Sequence, residues 1–379
     1  MNIVQEIFSN HSGWENIFQK GRVKKPQLVL VFGKRELVSQ NHVYDDLKNK
    51  YPNASIILSS TAGEIVNSGF VENSIVATAI EFEHTKLKTC EVNIRDFNSS
   101  FEAATQIVST LCQKELNHVF IVADGQLING SELVSGLNQF KAKNVVTTGG
   151  LAGDEYDFNQ TLVGLNNYPS EGNIVAIGFY GGRLKVGFGS RGGWDAFGPE
   201  RMITKSKGNV LYELDNQNAL ELYKKYLGEA AEELPSSALF FPLSIKPEGT
   251  KEPLVRTILS ICEETRSMTF AGSMPQGTIA QLMKHNSDRL IDGAEKAADY
   301  CLSDNNEQEP ELAILISCVG RRIVLGQNID EEIEVIRDQF GKKTLITGFY
   351  SYGEIAPFNK LSKSELHNQT MTITTMTEI

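Results

Sequence analysis

FYSYGEIAP, residues 349–357, packs two tyrosines, a glycine and a carboxylate between an apolar run and a proline. The stretch is too polar for a core strand and too short for a helix. TLITGF (344–349) therefore reads as a strand whose end carries Tyr350, Tyr352 and Glu354. Two other places in the chain have the same form. QLVLVFG (27–33) reads as a buried strand, VYDDLKNKY as a helix and SIILSS as a second strand; TAGEI follows, then the strand SIVATAIEF (74–82). HVFIVADG (118–125), helical ELVSGLNQF, the strand NVVTTGG, the loop LAGDE and the strand NIVAIGFYG (173–181) repeat the order. LAILISCVG (312–320), helix DEEIEVIRDQF, strand TLITGF, SYGEI and the strand TMTITTM (370–376) give it a third time.

Each module is thus strand, helix, strand, Gly-acid loop, strand, and such repetition is a structural signal. Glu64, Asp154 and Glu354 follow Gly63, Gly153 and Gly353 at equivalent positions. A glycine at a strand end permits positive φ and close approach, and α/β proteins place ligand sites at such ends. The opposing reading is that each acid only accepts local backbone N–H groups in a turn. Between modules two and three the material differs. FGSRGGWDAFGPERMITKSKGN is Gly-rich, ALELYKKYLG (219–228) is helical, SALFFPLSI (237–245) is read as a strand, and residues 277–302 are predicted as one long helical region. In it Leu290, Ile291, Ala294, Ala297 and Cys301 recur at helical spacing. A division near residues 210–220 fits these shifts.

The totals bound the function. With 379 residues, 41% hydrophobic and 22% charged, the chain reads as an ordinary globular protein of two domains or two pseudo-symmetric halves. Its 36 Lys+Arg against 47 Asp+Glu leave a net charge of −11, which argues against nucleic acid or an anionic membrane as partner. The first residues lack a signal-peptide pattern, no apolar run approaches the roughly 20 residues of a membrane span, and the five cysteines are odd in number and never CxxC; a cytoplasmic protein with reduced thiols is expected.

Gly187, Gly189 and Gly192 spell GxGxxG, but GWDAFGPE follows where the dinucleotide fold needs a helix, so the motif is rejected. P-loop, zincin and hydrolase-elbow motifs are absent. Cys318 precedes Arg321 and Arg322, whose charge would favour a thiolate nucleophile; a small residue closing a strand is the competing reading. Either arginine suits a bidentate pair with a ligand carboxylate or a loop acid. Of His11, His42, His84, His118, His285 and His367, the candidate metal or haem ligands are His367, in ELHNQT, and His285, on the predicted long helix.

STAGEI, GGLAGDE, GSMPQG with LIDGA, CVGRR, GFYSYGEIAP and LHNQTMT closely resemble the FIST domain, in its N- and C-terminal parts both. The resemblance implies domains at 25–218 and 219–365. It implies an α/β fold (mixed α+β) of stacked mixed sheets with outer helices, the three modules set in a pseudo-symmetric two-part architecture around a cleft. Thr61, Gly63, Glu64, Gly150, Asp154, Arg321, Arg322, Tyr350, Tyr352 and Glu354 are the expected ligand-binding residues. FIST proteins are regarded as intracellular bacterial sensory modules of signal transduction. Some stand-alone members of similar size are haem-binding nitric-oxide sensors, so the resemblance implies regulation of a partner histidine kinase, diguanylate cyclase or phosphodiesterase in trans. A non-enzymatic haem b sensor is the first expectation. A binder of a small carboxylated metabolite such as an amino acid is the alternative, and an enzyme using Cys318 or the loop carboxylates the third.

Overall fold

The computed structural model describes residues 1–140, 145–246, 253–303, 309–359 and 362–379. The three modules fold alike. In each, a lead strand (Leu28–Gly33, Leu116–Ala123, Leu312–Cys318) pairs in parallel with the strand after its crossover helix (Ser55–Ser60, Val146–Leu151, Leu345–Ser351). On its other side it pairs antiparallel with the closing strand (Ile75–Glu81, Asn173–Tyr180, Met371–Glu378). An outer strand that precedes each module (Asn2–Ser9, Lys86–Asn93, Leu184–Arg191) extends the sheet antiparallel. The expected α/β class is thereby observed. Asn144, first residue of the predicted strand NVVTTGG, lies outside the described residues.

What the modules exchange is the chain after the Gly-acid loop. Glu64–Val66 leaves module one and pairs with Leu345–Ser351 of module three. Gly353–Pro357 leaves module three and pairs with Val146–Leu151 of module two. Val163–Leu165 leaves module two and pairs with Ser55–Ser60 of module one. The exchange is cyclic, and it closes three six-stranded sheets into a pseudo-threefold unit.

Burial explains why the lead strands read as continuous apolar runs. Their inner faces meet in one core built from all three sheets, with Leu30, Phe32, Phe120, Val122, Ile314 and Ile316. Helices cover the outer faces: Asn41–Lys50 over sheet one, Ser100–Leu111 and Gly130–Leu137 over sheet two, Ser287–Ser303 and Ile329–Phe340 over sheet three. A strand covered on both faces has no polar side to alternate. Local chemistry starts these helices: Ser99 Oγ accepts from Glu102 N at 3.2 Å and Asn129 Oδ1 from Glu132 N at 3.1 Å.

A fourth sheet is inserted between Leu184–Arg191 and Ser287–Ser303, built on Asp195–Lys207 and carrying helix Ala219–Leu227. Ile203, Leu211 and Leu214 share one core there with Leu220, Tyr223 and Leu243, so packing is continuous across residue 218. Two expectations are corrected here. The predicted helical region 277–302 is a strand, Ile279–Lys284, followed by a helix, Ser287–Ser303. Ala280 and Leu282 face the core while Gln281 points outward, a period of two, and Asn286 Oδ1 accepts from Arg289 N where the helix starts. SALFFPLSI is a 3₁₀ turn, Ser236–Phe240, before the strand Leu243–Lys246; Pro242 lacks the N–H a longer strand would need. Among the described residues no helix is long and apolar enough to cross a membrane.

Candidate functional site

The three Gly-acid loops converge where the strands exchange, and their backbones form a ring. Ala62 N donates to Tyr350 O and Tyr350 N to Gly63 O, both at 2.8 Å, joining loops one and three. Tyr352 N donates to Leu151 O at 3.3 Å, joining three to two. Gly153 N and Glu155 N donate to Ser60 O and Thr61 O at 3.1 and 3.2 Å, joining two to one. This crowding sets the glycines. Gly63 has φ +114°, and a Cβ there would meet the Phe70 ring at 2.6 Å; a Cβ on Gly153 would meet Ala62 N at 2.7 Å.

The carboxylates of these loops turn inward. Glu64 is buried, accepting from Thr61 Oγ1 at 2.7 Å and Ser74 Oγ at 3.0 Å. Glu354 repeats the arrangement with Ser351 Oγ at 2.9 Å and with Thr370 N and Oγ1 at 3.2 and 2.8 Å. Burial pushes both carboxyls up to about 8, against the pull of these hydrogen bonds. Asp154, in a loop whose hydroxyl position is taken by Leu151, pairs instead with Arg35 Nε at 2.8 Å and accepts from Gln160 N. Arg35 also faces Glu36 and Asp157, so this acidic group already holds a cation of its own. Gly150 lies inside a strand, in register with Glu354.

The twin arginines part company. Arg321 is fully buried: its Nε donates to Glu332 Oε1 at 2.7 Å and its Nη2 to Leu290 O at 2.8 Å, while Glu332 also receives Tyr350 Oη at 3.0 Å and Ser317 Oγ at 3.3 Å. Arg321 and Tyr350 therefore lie in an internal network linking helix Val319–Leu325 to helix Ile329–Phe340. Arg322, one residue on and about 100° around the helix, points the other way. It lines a cavity of about 440 Å³ with Phe70, Glu72, Tyr156, Phe158, Leu239 and Ile323. Its guanidinium lies between the rings of Phe70 and Tyr156, 4.8 and 4.7 Å from their centroids. Nη1 donates to Ala62 O at 2.6 Å and Nη2 is paired with Glu72. Tyr352 stands behind this cavity, its ring stacked on Phe158 at 4.7 Å.

Every module contributes to the cavity, and so does the inserted sheet's 3₁₀ turn, through Ser236 and Leu239. Of the expected residues the structure brings Arg322 to the cavity, with Gly63 and Tyr352 packed behind its walls. Thr61, Glu64, Gly150, Asp154, Arg321, Tyr350 and Glu354 have the interior roles described above. Sequence reasoning missed Phe70, Glu72, Phe158, Leu239 and Ile323. A signal existed for Phe158: two aromatics two residues apart in the acidic loop DEYDF have no reason to be there as loop filler.

The other candidates sit elsewhere. Cys318 is buried, and burial with the Glu354 charge pushes its thiol up, away from nucleophilic use. His367 is fully enclosed, its Nε2 2.8 Å from Ala356 O, and burial holds its imidazole down near a pKa of about 4. His285 lies between strand and helix, not on the helix, with its ring against Phe240 at 5.3 Å. Neither histidine lines the cavity at Arg322 or a second one of about 350 Å³ beside Arg256. These surroundings do not fit a haem on His367, whose nitrogen is on a carbonyl, while His285 is half-buried with its ring edge-on to Phe240.

Comparison with known proteins agrees with the motifs. The FIST N domain matches residues 27–217 and the FIST C domain residues 219–357. An uncharacterized protein of Methanocaldococcus jannaschii is 22% identical over 352 residues, covering 82% of this chain; the match spans 66% of that relative's own length. With both matches laid over the exchanged sheets and the loops that interlock between them, the chain belongs to the FIST family of signal-transduction sensory domains.

Proposed function

We infer that this chain is a non-enzymatic sensor that binds a small carboxylate-bearing molecule in the cavity at Arg322. One observation carries the reading. Arg322 is the single cationic side chain among the described residues lining that cavity, and two aromatic faces and a backbone carbonyl fix its guanidinium. A fixed guanidinium presents its N–H donors to a carboxylate at little ordering cost once Glu72 gives up Nη2. The volume falls in the range of small-molecule sites, which are mostly apolar with few polar groups. The interior burial of Cys318, Glu64 and Glu354 supports binding over turnover. Output through a histidine kinase, diguanylate cyclase or phosphodiesterase in trans, and a cytoplasmic place of action, rest on the family alone and complete the same reading.

Thermal-shift and calorimetric titration with a panel of monocarboxylates and amino acids tests it. Saturable stabilisation is expected, about 2.7 kcal/mol at a hundredfold excess over Kd. Arg322→Gln should weaken binding at least about tenfold, the loss of a charge-assisted bond. No binding by any carboxylate, or unchanged affinity in Arg322→Gln, overturns the reading. Reconstitution with haemin is the parallel control: a sharp Soret band that shifts with nitric oxide would restore the haem reading.

A further inference from the structure

Glu72 sits at the mouth of the cavity, 46% exposed, with its carboxylate on Arg322 Nη2. Among the described residues it has no other hydrogen-bond partner, whereas Arg322 is anchored from three further directions by Ala62 O, Phe70 and Tyr156. The cation is thus fixed and its carboxylate replaceable. The walls beside the pair leave apolar surface in water: Tyr156 is 49% exposed and Phe158 42%, with Leu239 and Ile323 lining the same space. Tyr352 stacks behind Phe158, 17° between the rings, so the Phe158 ring is held as a flat wall.

We propose that Glu72 is an internal stand-in for the ligand's carboxylate, and that the ligand is a monocarboxylate carrying a planar apolar group, which displaces Glu72 from Arg322 and lays its flat face against Tyr156 and Phe158. The proposal rests on the carboxylate reading of the cavity given above. Only the Glu72 half of the pair is exposed, so its carboxylate returns to water on release while the entering carboxylate keeps the buried Arg322 paired. The entering molecule replaces that pair with one shielded by its own ring, stronger than the water-exposed one it displaces, and adds ring burial, which a bare carboxylate lacks and Glu72 does not provide. The exchange also frees the chain just beyond strand Gly69–Val71, which hangs on helix Ile329–Phe340 through Phe70 N donating to Asp330 Oδ1 at 3.0 Å.

The test titrates the full chain by calorimetry with phenylacetate, its uncharged match phenylacetamide, and acetate, in wild type and Glu72→Gln. Phenylacetate should bind at least about tenfold more tightly than acetate, and phenylacetamide should not bind. Glu72→Gln removes the competitor and should tighten phenylacetate by about two- to fivefold, the worth of an exposed pair. Urea melts of the variant confirm that it is folded. If acetate matches phenylacetate, or Glu72→Gln leaves affinity unchanged or weakens it, this inference falls while the carboxylate reading stands. If no carboxylate, aryl or amino acid, binds either protein, both fall.

Discussion

Replacing Glu64 or Glu354 by glutamine should make the protein more resistant to alkali. Each carboxyl has an ordinary value of 4.5 and is pushed up to about 8 by burial. A raised folded-state pKa means that the folded chain holds the proton more tightly than the unfolded chain. The stabilisation is fully present below about pH 4.5 and is lost as pH rises through about 8. The gap converts, at roughly 1.4 kcal/mol per tenfold, to about 5 kcal/mol per group as an upper bound, and about 2–5 kcal/mol once water penetration is allowed for. Glutamine is neutral throughout and nearly isosteric. At Glu64 both partners are hydroxyls, Thr61 and Ser74, which can accept from an amide as readily as they donate. At Glu354 the amide oxygen can keep Thr370 N while its NH₂ faces Ser351 Oγ. Equilibrium urea unfolding at pH 5, 7 and 9 measures the effect. Wild type and either variant should agree within about 1 kcal/mol at pH 5 and diverge by several kcal/mol at pH 9, with glutamine the more stable. Parallel pH profiles for wild type and variants would refute the reasoning, because the carboxylates would then be ionised in the folded protein at no cost.

Other perturbations separate the interior roles from the cavity. Arg321→Met strands Glu332 without its counter-ion and should cost about 3–5 kcal/mol in urea unfolding, with Glu332→Gln in the same chain recovering most of it; full stability in the single variant would disprove the network. Gly63→Ala combines φ +114° with a 2.6 Å approach to Phe70 and should lose about 2–4 kcal/mol, read as a lowered Tm. The His367 ring, held down to about 4 by burial, should show no change in its NMR shifts from pH 8 to 5, while a ring titrating near 6.5 would mean that it reaches solvent.

The lead strands and crossover helices were legible because each is a run long enough to show its period: LVLVF and LAILISC are covered on both faces, and DEEIEVIRDQF repeats Ile333, Ile336 and Phe340 on one side. The exchange was not, for physical reasons. Glu64–Val66 is three residues long, too short for any periodicity, and its partner Phe349 lies far along the chain. Nothing in EIV says which sheet will receive it. Ile279–Lys284 reads as helix in sequence because a true helix starts after a two-residue gap and its apolar residues merge with that pattern. Arg321 and Arg322 were recognised together, yet neighbours on a helix face different ways. Only the position of Glu332, a turn into the next helix, decides which is drawn inward.

The Gly-acid loops, the one in FYSYGEIAP included, act from inside the protein. Their acids turn inward onto hydroxyls and, at Asp154, onto Arg35, and hold the crossovers in shape. Their backbones, however, reach the cavity. Ala62 O, which receives Arg322 Nη1, belongs to the same four-residue turn, Thr61 to Glu64, whose two ends are tied by the Thr61–Glu64 hydrogen bond. Ala62 N in turn is committed to Tyr350 O, in the third module's strand, whose hydroxyl meets the Arg321–Glu332 pair. The guanidinium that faces the cavity is thus positioned by a carbonyl, the carbonyl by a buried carboxyl, and the carboxyl by a proton it keeps because it is buried. Residues in such a chain of contacts do not contribute independently. A loop acid sealed inside the protein can be necessary to a cavity it never touches: repeated glycine and acid at three strand ends hold the scaffold from which Arg322 faces that cavity.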